Sequence, residues 1–297
     1  MTDENSISDT PALSVIVAVY NDWVALDSCL RSLMQQANAP SFEVIVVDDG
    51  SESTVPESIR TWSLQYPLVI SKQPHSGVSA ARNRGAQDSK GPVLLFADAD
   101  SRFEPSCLEA LNSAIADNPQ EQSFQLRLTG DSSTLVGRVE VLRLRILQLH
   151  LLQPNGKIRY LNTAGFAIRR VHADVNAGIF NTAAIRAEDT LLLADLMERG
   201  ELPLFVTKAV VQHRTPLSLL GCLRKDVRSA YLESKTYEVV ASRGVKLRVG
   251  FRERIDMLRS MWRMSAEPSV GRAAWLILVI RQVLRLVVHL VCGLLRI

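Results

Sequence analysis

Apolar positions follow two rhythms. LSVIVAV (Leu13–Val19) and FEVIVV (42–47) are short, nearly unbroken β-branched runs, the pattern of strands covered on both faces of a parallel sheet. Between them Leu26, Leu30, Leu33 and Met34 recur at helical spacing. PLVIS (67–71) and PVLLFA (92–97) predict two more strands, and SGVSAARNRGAQDS between them predicts a helix capped by Ser76 or Ser79. From about residue 124 to 168 the runs shorten, with TLVGRVEV (134–141) and FAIRR (166–170) as candidate strands around a helix near 142–152. EDTLLLADLMERG (188–200) predicts a helix closed by Gly200, PLFVTKAVVQH (203–213) a last strand, and the pattern is helical after Thr215. Alternation of this kind is the signature of an open α/β sheet.

At 297 residues, 47% hydrophobic and 22% charged, the chain suits one large α/β unit with an appendage. The organisation expected is a flexible start over 1–12, an α/β domain over 13–215, and a basic helical extension over 216–297. Charge divides along the same line: residues 1–213 carry 18 Lys/Arg against 25 Asp/Glu, and residues 214–297 carry 16 against 6. A basic segment that is also apolar suits an anionic lipid surface, and nothing resembles a nucleic-acid-binding module. Cys29, Cys107, Cys222 and Cys292 are scattered without a CxxC pair, which predicts neither a zinc site nor a disulfide framework and implies a reduced, cytoplasmic setting. The acidic N-terminus has no long apolar run and predicts no secretory signal.

Ligands of open α/β sheets bind outside the carboxyl ends of the strands. Three such ends carry polar clusters: Tyr20-Asn21-Asp22, Asp48-Asp49-Gly50-Ser51 and Asp98-Ala99-Asp100. Two carboxylates on one turn are costly unless a cation neutralises them, and a hard divalent ion such as Mg²⁺ or Mn²⁺, with positions left open for a diphosphate, is the natural one. Exposed turns rich in Asp give the same pattern without metal.

Taken together, SVIVAVYN, VVDDGS, SGVSAARNRG, FADADS and AED resemble, in order and spacing, the family 2 glycosyltransferases with the GT-A fold, over about residues 13–213. The resemblance implies a Rossmann-like three-layer α/β/α sandwich with a mainly parallel central sheet, and an inverting, metal-dependent transfer from a nucleotide diphosphate sugar, UDP-, GDP- or dTDP-linked. It implies that Tyr20 and the backbone of residues 18–21, Ala18 and Asn21 included, line base and ribose. Asp49 would contact the base and Asp48 support the turn; Gly77 and Arg82 would face the nucleotide. Asp98 and Asp100 would hold the metal, Asp98 also completing the donor site, with His213 as a further ligand. Asp189 would be the catalytic base supported by Glu188, and Asn162, Thr163, Arg169 and Arg170 would lie on the acceptor side. Bland readings stand beside these: Asp48 as a turn cap, Arg82 and Arg169 as ion-paired or solvated charges, His213 as a structural histidine, and both acids of the ED pair as favourable charges at a helix N-terminus.

In the tail, the longest unbroken apolar stretch is 273–280, short of the ~20 residues that span a bilayer. Arg281, Arg285 and His289 fall on one helical face. That design predicts a helix lying in a membrane interface, aided by Arg248, Arg252, Arg254, Arg259 and Arg263, or a helix packed on protein, a second copy in a homo-oligomer included. A station on the inner face of the cell membrane and an acceptor glycan or lipid-linked sugar, as in surface polysaccharide or glycolipid synthesis, accord with the first reading. Absence of GxGxxG and GxxxxGK[ST] argues against dinucleotide redox and P-loop chemistry. A sugar-nucleotide pyrophosphorylase would show a glycine-rich basic loop where this chain reads VYNDW. The rival class is a catalytically silent relative that binds nucleotide sugar or serves as a membrane-bound assembly partner; retention of Asp98, Asp100 and Asp189 argues against it.

Overall fold

The first half of the chain alternates strand and helix as its periodicity predicts. In the computed structural model, which describes residues 10–184, 187–214, 218–245, 251–268 and 270–295, these elements are β1 (Leu13–Val19), α1 (Trp23–Met34), β2 (Phe42–Asp48), the single turn α2 (Glu57–Arg60), β3 (Leu68–Lys72), α3 (Val78–Asp88) and β4 (Val93–Asp98). There follow β5 (Ser101–Phe103), α4 (Cys107–Asp117), β6 (Ser123–Gly130), α5 (Leu135–Leu151), β7 (Phe166–Arg169), α6 (Glu188–Glu198) and β8 (Leu204–His213). Three helices close the chain: α7 (Leu219–Ser242), α8 (Phe251–Met264) and α9 (Arg272–Leu295). The start expected to be flexible falls largely in residues 1–9, outside the described residues, as does Arg248.

The eight strands form one sheet in the order β3-β2-β1-β4-β7-β6-β8-β5. It is parallel from β3 to β4 and again between β6 and β8, and antiparallel where β7 pairs with β4 and β6 and where β5 pairs with β8. Only a two-residue turn separates β4 from β5, yet four pairings intervene across the sheet, so this half curls back on itself.

Side chains alternate between two covered faces, the physical basis of the unbroken apolar runs. Val15, Val17, Val44, Val46 and Leu95 pack with α1 and α4, whereas Ile16, Ile45, Val47, Leu94 and Phe96 pack with α3 and α6. Gly85 lets α3 approach closely, since a Cβ there would lie 2.5 Å from Ile16 Cγ2.

Two local expectations are corrected. TLVGRVEV is the start of α5, not a strand: Thr134 caps it by accepting from the Gly137 amide at 2.9 Å, and Val139, Leu142 and Ile146 share a buried face with Met257, Met261 and Leu278 of α8 and α9. Burial of a helical face outweighs the strand preference of the valines. Nor do Ser76 and Ser79 cap α3. Its N-cap is Gly77 at φ +90°, with no side-chain cap, and the Ser76 hydroxyl donates instead to the Pro74 carbonyl at 2.7 Å.

The tail packs on protein through the face expected to meet headgroups. Arg281 donates to Asp226 of α7 at 3.1 Å and lies 3.9 Å from Glu140 of α5, and Arg285 bonds Glu233 of α7. At the far end of α7, Arg243 bridges Asp195 and Glu198 of α6, and Val240 packs on Leu191 and Ala194. The extension therefore braces the helix that starts with Glu188 and Asp189.

Phe96 is fully buried between Phe166, 6.5 Å away and stacked, and Phe180, 4.9 Å away and edge-on. Phe96→Ala is expected to lower the unfolding free energy by about 3–5 kcal/mol in urea titration.

Candidate active site

Strand register assembles the site. Ala18 pairs with Asp98 and Val19 with Asp48, so three strand ends finish level with one another. The β4–β5 turn carries Asp98 and Asp100 to the sheet's other edge, where Ser101 pairs with His213 and the Arg214 amide donates to the Asp100 carbonyl at 3.1 Å. His213 Nε2 lies 3.3 Å from Asp100 Oδ1 and 3.7 Å from Asp98 Oδ2. One donor atom from each of the three residues lies within 4.8 Å of the others, and all three side chains are partly exposed. Two carboxylates and an imidazole at this spacing fit a divalent cation.

Arg82 reaches this cluster from below. Only 3% exposed, its guanidinium donates through Nη2 to Asp98 and through Nη1 to Glu188, both at 2.6 Å, with Phe180 5.6 Å from its carbon. Both arms are thus spent on acids, which makes Arg82 a buried strut between the strand-end cluster and α6. Burial alone would raise the Asp98 carboxyl, but Arg82 and then His213 overturn this and hold it well below the usual range. Asp100 goes the other way, raised by burial and Asp98 against the pull of His213 and Lys225. His213 is raised because the hydrogen bond to Asp98 and the charge of Asp100 outweigh its own burial.

Asp189 follows Glu188 in the first turn of α6, entered through Ala187 in the left-handed conformation at φ +64°. Asn21, φ +55°, holds a similar strained backbone at the end of β1; such residues persist where surrounding structure over-determines them. Asp189 accepts from the Thr190 amide at 2.7 Å. Burial and the Glu188 charge raise its carboxyl to about 7, Glu233 adding to the rise and Arg82 opposing it.

On the other side of the strand ends, Tyr20, 46% exposed, packs against His75 with ring centroids 4.4 Å apart and planes tilted by 30°. The Asn21 amide donates to Ser51, and its side-chain oxygen accepts from the Glu52 amide. Asp48, fully buried, accepts from the Ser51 amide at 2.8 Å. Asp49 is 3% exposed and accepts from the amides of Ser76 and Gly77, both at 2.9 Å, and from Gln73 at 2.8 Å. Its carboxylate thus organises the 73–77 loop that carries His75.

Four expected acceptor-side residues land elsewhere or serve the fold. Arg169 pairs with Val93 at the start of β4, five residues and about 17 Å of strand from Asp98. Its guanidinium donates to the carbonyls of Ile115 in the last turn of α4 and of Glu121 beyond it, and that of Arg170 to Ser89 and Gly91 beyond α3. Both satisfy helix-end carbonyls on the opposite rim of the sheet, which corrects their assignment. Asn162 caps a 3₁₀ turn by accepting from the Ala164 amide and is tied to Gln125, and Thr163 is buried. His75 and Lys225 escaped the sequence reading. A lone histidine in QPHSG carries no periodic signal, and the charge of Lys225 on Asp100 comes from a helix more than a hundred residues away.

Comparison with known proteins places this architecture. The family model for Glycosyl transferase family 2 matches residues 14–174, just over half of the chain. An uncharacterized glycosyltransferase of Haemophilus influenzae (strain ATCC 51907 / DSM 11121 / KW20 / Rd) is 40% identical over 108 residues, covering 36% of this chain and 35% of its own. The matched stretch spans about a third of the length of such curated relatives. The mannosyltransferase PcManGT from Pyrobaculum calidifontis, solved in complex with GDP-Man and Mn²⁺, superposes with a TM-score of 0.66 at 15% identity, over 97% of this chain and 88% of that one. Residues 1–349 of S. aureus TarS, in complex with UDP, superpose with a TM-score of 0.57 at 18% identity, over 93% and 88%. The fold is that of the GT-A glycosyltransferases, and the chain belongs to glycosyl transferase family 2.

Proposed function

We propose that the protein is an inverting, metal-dependent glycosyltransferase that moves a sugar from a nucleotide diphosphate donor to an acceptor hydroxyl. The observation that carries this reading is the Arg82 bridge. It joins Asp98 of a three-residue cation cluster to Glu188, the neighbour of a carboxyl poised near neutrality, which is the pairing of functions a single displacement needs. The nucleotides in the complexes of PcManGT and TarS support a nucleotide-linked donor.

In this reading the Tyr20–His75 pair offers an exposed aromatic wall to the base. Ala18, Asn21, Asp48, Asp49 and Gly77 shape the loops around base and ribose. Asp98, Asp100 and His213 would hold Mn²⁺ or Mg²⁺, the imidazole favouring Mn²⁺. When bound, the cation supplies charge stabilisation to the departing diphosphate. Asp189 accepts the acceptor's hydroxyl proton as the new carbon–oxygen bond forms opposite the breaking bond to phosphate, whose electron pair leaves with the nucleoside diphosphate; inversion follows. The setting is the inner face of the cell membrane, with a glycan or lipid-linked sugar of surface polysaccharide or glycolipid synthesis as acceptor. Glu188 positions α6 by its bond to Arg82.

Asp189→Asn should bind nucleoside diphosphate yet lose about 10²–10⁴-fold in kcat, and wild-type kcat/KM should climb with pH through a pKa of about 7. A folded variant with wild-type turnover would sink the assignment. The same raised carboxyl costs stability as pH rises from its unfolded pKa of ~4 through its folded value of about 7, because the folded state holds the proton more tightly. Asp189→Asn should therefore melt higher than wild type at pH 8 and match it at pH 4.

Asp100→Asn and His213→Ala should remove the Mn²⁺-dependent part of the thermal shift that a nucleoside diphosphate produces; an undiminished shift would relocate the cation. Arg82→Met should cost about 3–5 kcal/mol of stability by stripping Glu188 of its guanidinium and leaving Asp98 with His213 alone, with Arg82→Lys, lacking the two-armed fork, recovering only part of it.

A further inference from the structure

The last helix is built inside out. Along α9, Arg281 and Arg285 face the protein, held by Asp226, Glu233 and Glu140, while Leu276, Ile280, Val283, Val287 and Leu290 are each about half exposed. At 3.6 residues per turn these five lie in one stripe diametrically opposite the arginines, running about 21 Å along the axis. Soluble helices turn their apolar face inward; a continuous apolar stripe on the outside marks an interaction surface.

Its surroundings indicate the occupant. One edge of the stripe borders a shallow groove floored by Leu223, Val227 and Leu284 and flanked by Arg224 and Arg228 of α7, both exposed. Near the N-terminal end of α9 stands Trp262 of α8, 49% exposed, with the Arg272 guanidinium 3.7 Å over its ring. Apolar ridge, interfacial tryptophan and flanking arginines form the arrangement that binds an anionic bilayer surface. A second copy seated there would bring the basic α7 edges together, in a tail carrying 16 Lys/Arg against 6 Asp/Glu. Crossing the bilayer would strip Arg281 and Arg285 from acids on α7, which itself carries charges along its length.

We infer that the outward face of α9 docks, in the plane of the membrane, on bilayers containing anionic phospholipid. Lipid contact is made by the apolar stripe and by Arg224 and Arg228, not by the arginines of α9, which serve as internal ion pairs. This deepens the membrane setting proposed above and rests on it, without depending on the transfer chemistry.

The test is flotation of the full chain with vesicles of phosphatidylcholine and phosphatidylglycerol in equal parts. Wild type should float; Ile280→Asp/Val287→Asp should lose about tenfold or more of the bound fraction while keeping the melting temperature. Arg224→Glu/Arg228→Glu should weaken binding to these vesicles and leave any binding to pure phosphatidylcholine unchanged. Undiminished flotation of the aspartate variant overturns the inference. So does a wild-type dimer in light scattering that the same variant dissociates, without flotation, which would assign the face to a second copy; so does resistance of the bound protein to alkaline carbonate, which would mean a span. The Mn²⁺-dependent shift with nucleoside diphosphate, read on the same proteins, keeps the two proposals apart: its absence from wild type would count against the donor site, and its persistence in the aspartate variant shows that lost flotation is not lost folding.

Discussion

A buried guanidinium cannot stand alone, and the arrangement of this site follows from how Arg82 is neutralised. At 3% exposure it requires partners, and it takes one from the end of β4 and one from the start of α6. Its planar fork meets both acids at once, which a point charge on a flexible stem would not do. Segments ninety residues apart in sequence are thereby fixed within one side chain's reach. Asp98 is kept ionised by the arrangement, and Asp189, which has no such partner, is left near neutrality. The two carboxyls therefore shift in opposite directions, Asp98 down and Asp189 up.

The rest of the chain keeps that bridge in register. Phe96, Phe166 and Phe180 pack beneath Arg82, and the curled sheet closes the acidic turn against His213. From the opposite side α7 holds α6 through Arg243 and Val240 and carries Glu233, whose charge reaches Asp189 and whose carboxylate is paired by Arg285 of α9. The C-terminal helices are thus part of the platform on which the acidic helix sits. Spending the α9 arginines on internal pairs with α5 and α7 leaves its apolar side facing out.

Much of this was legible in the residues. The β-branched runs of β1, β2 and β4 read as doubly covered strands because neighbouring positions face two different cores, and the polar clusters at their ends read as one site because parallel strands finish together. Gly200 marks the end of α6 through its positive φ. These are local properties, and the chain states them locally: hydrophobic period, turn chemistry, and acids placed where strands stop.

What sequence alone did not decide is where each charge goes. Arg82, Arg169 and Arg281 are alike as letters; one is a strut within the site, one satisfies carbonyls at the end of α4 on the opposite rim, and one pairs with α7. Their fates depend on partners supplied by distant segments, and pairing energy is a property of distance and burial, which periodicity does not encode. For the same reason the valines of TLVGRVEV follow the buried face that α8 and α9 offer them, not their own strand preference. Family, strand ends and the acids beyond them are written in local patterns of residues; which charges hold the fold, and which face of the last helix is left outside, depend on partners that only folding brings together.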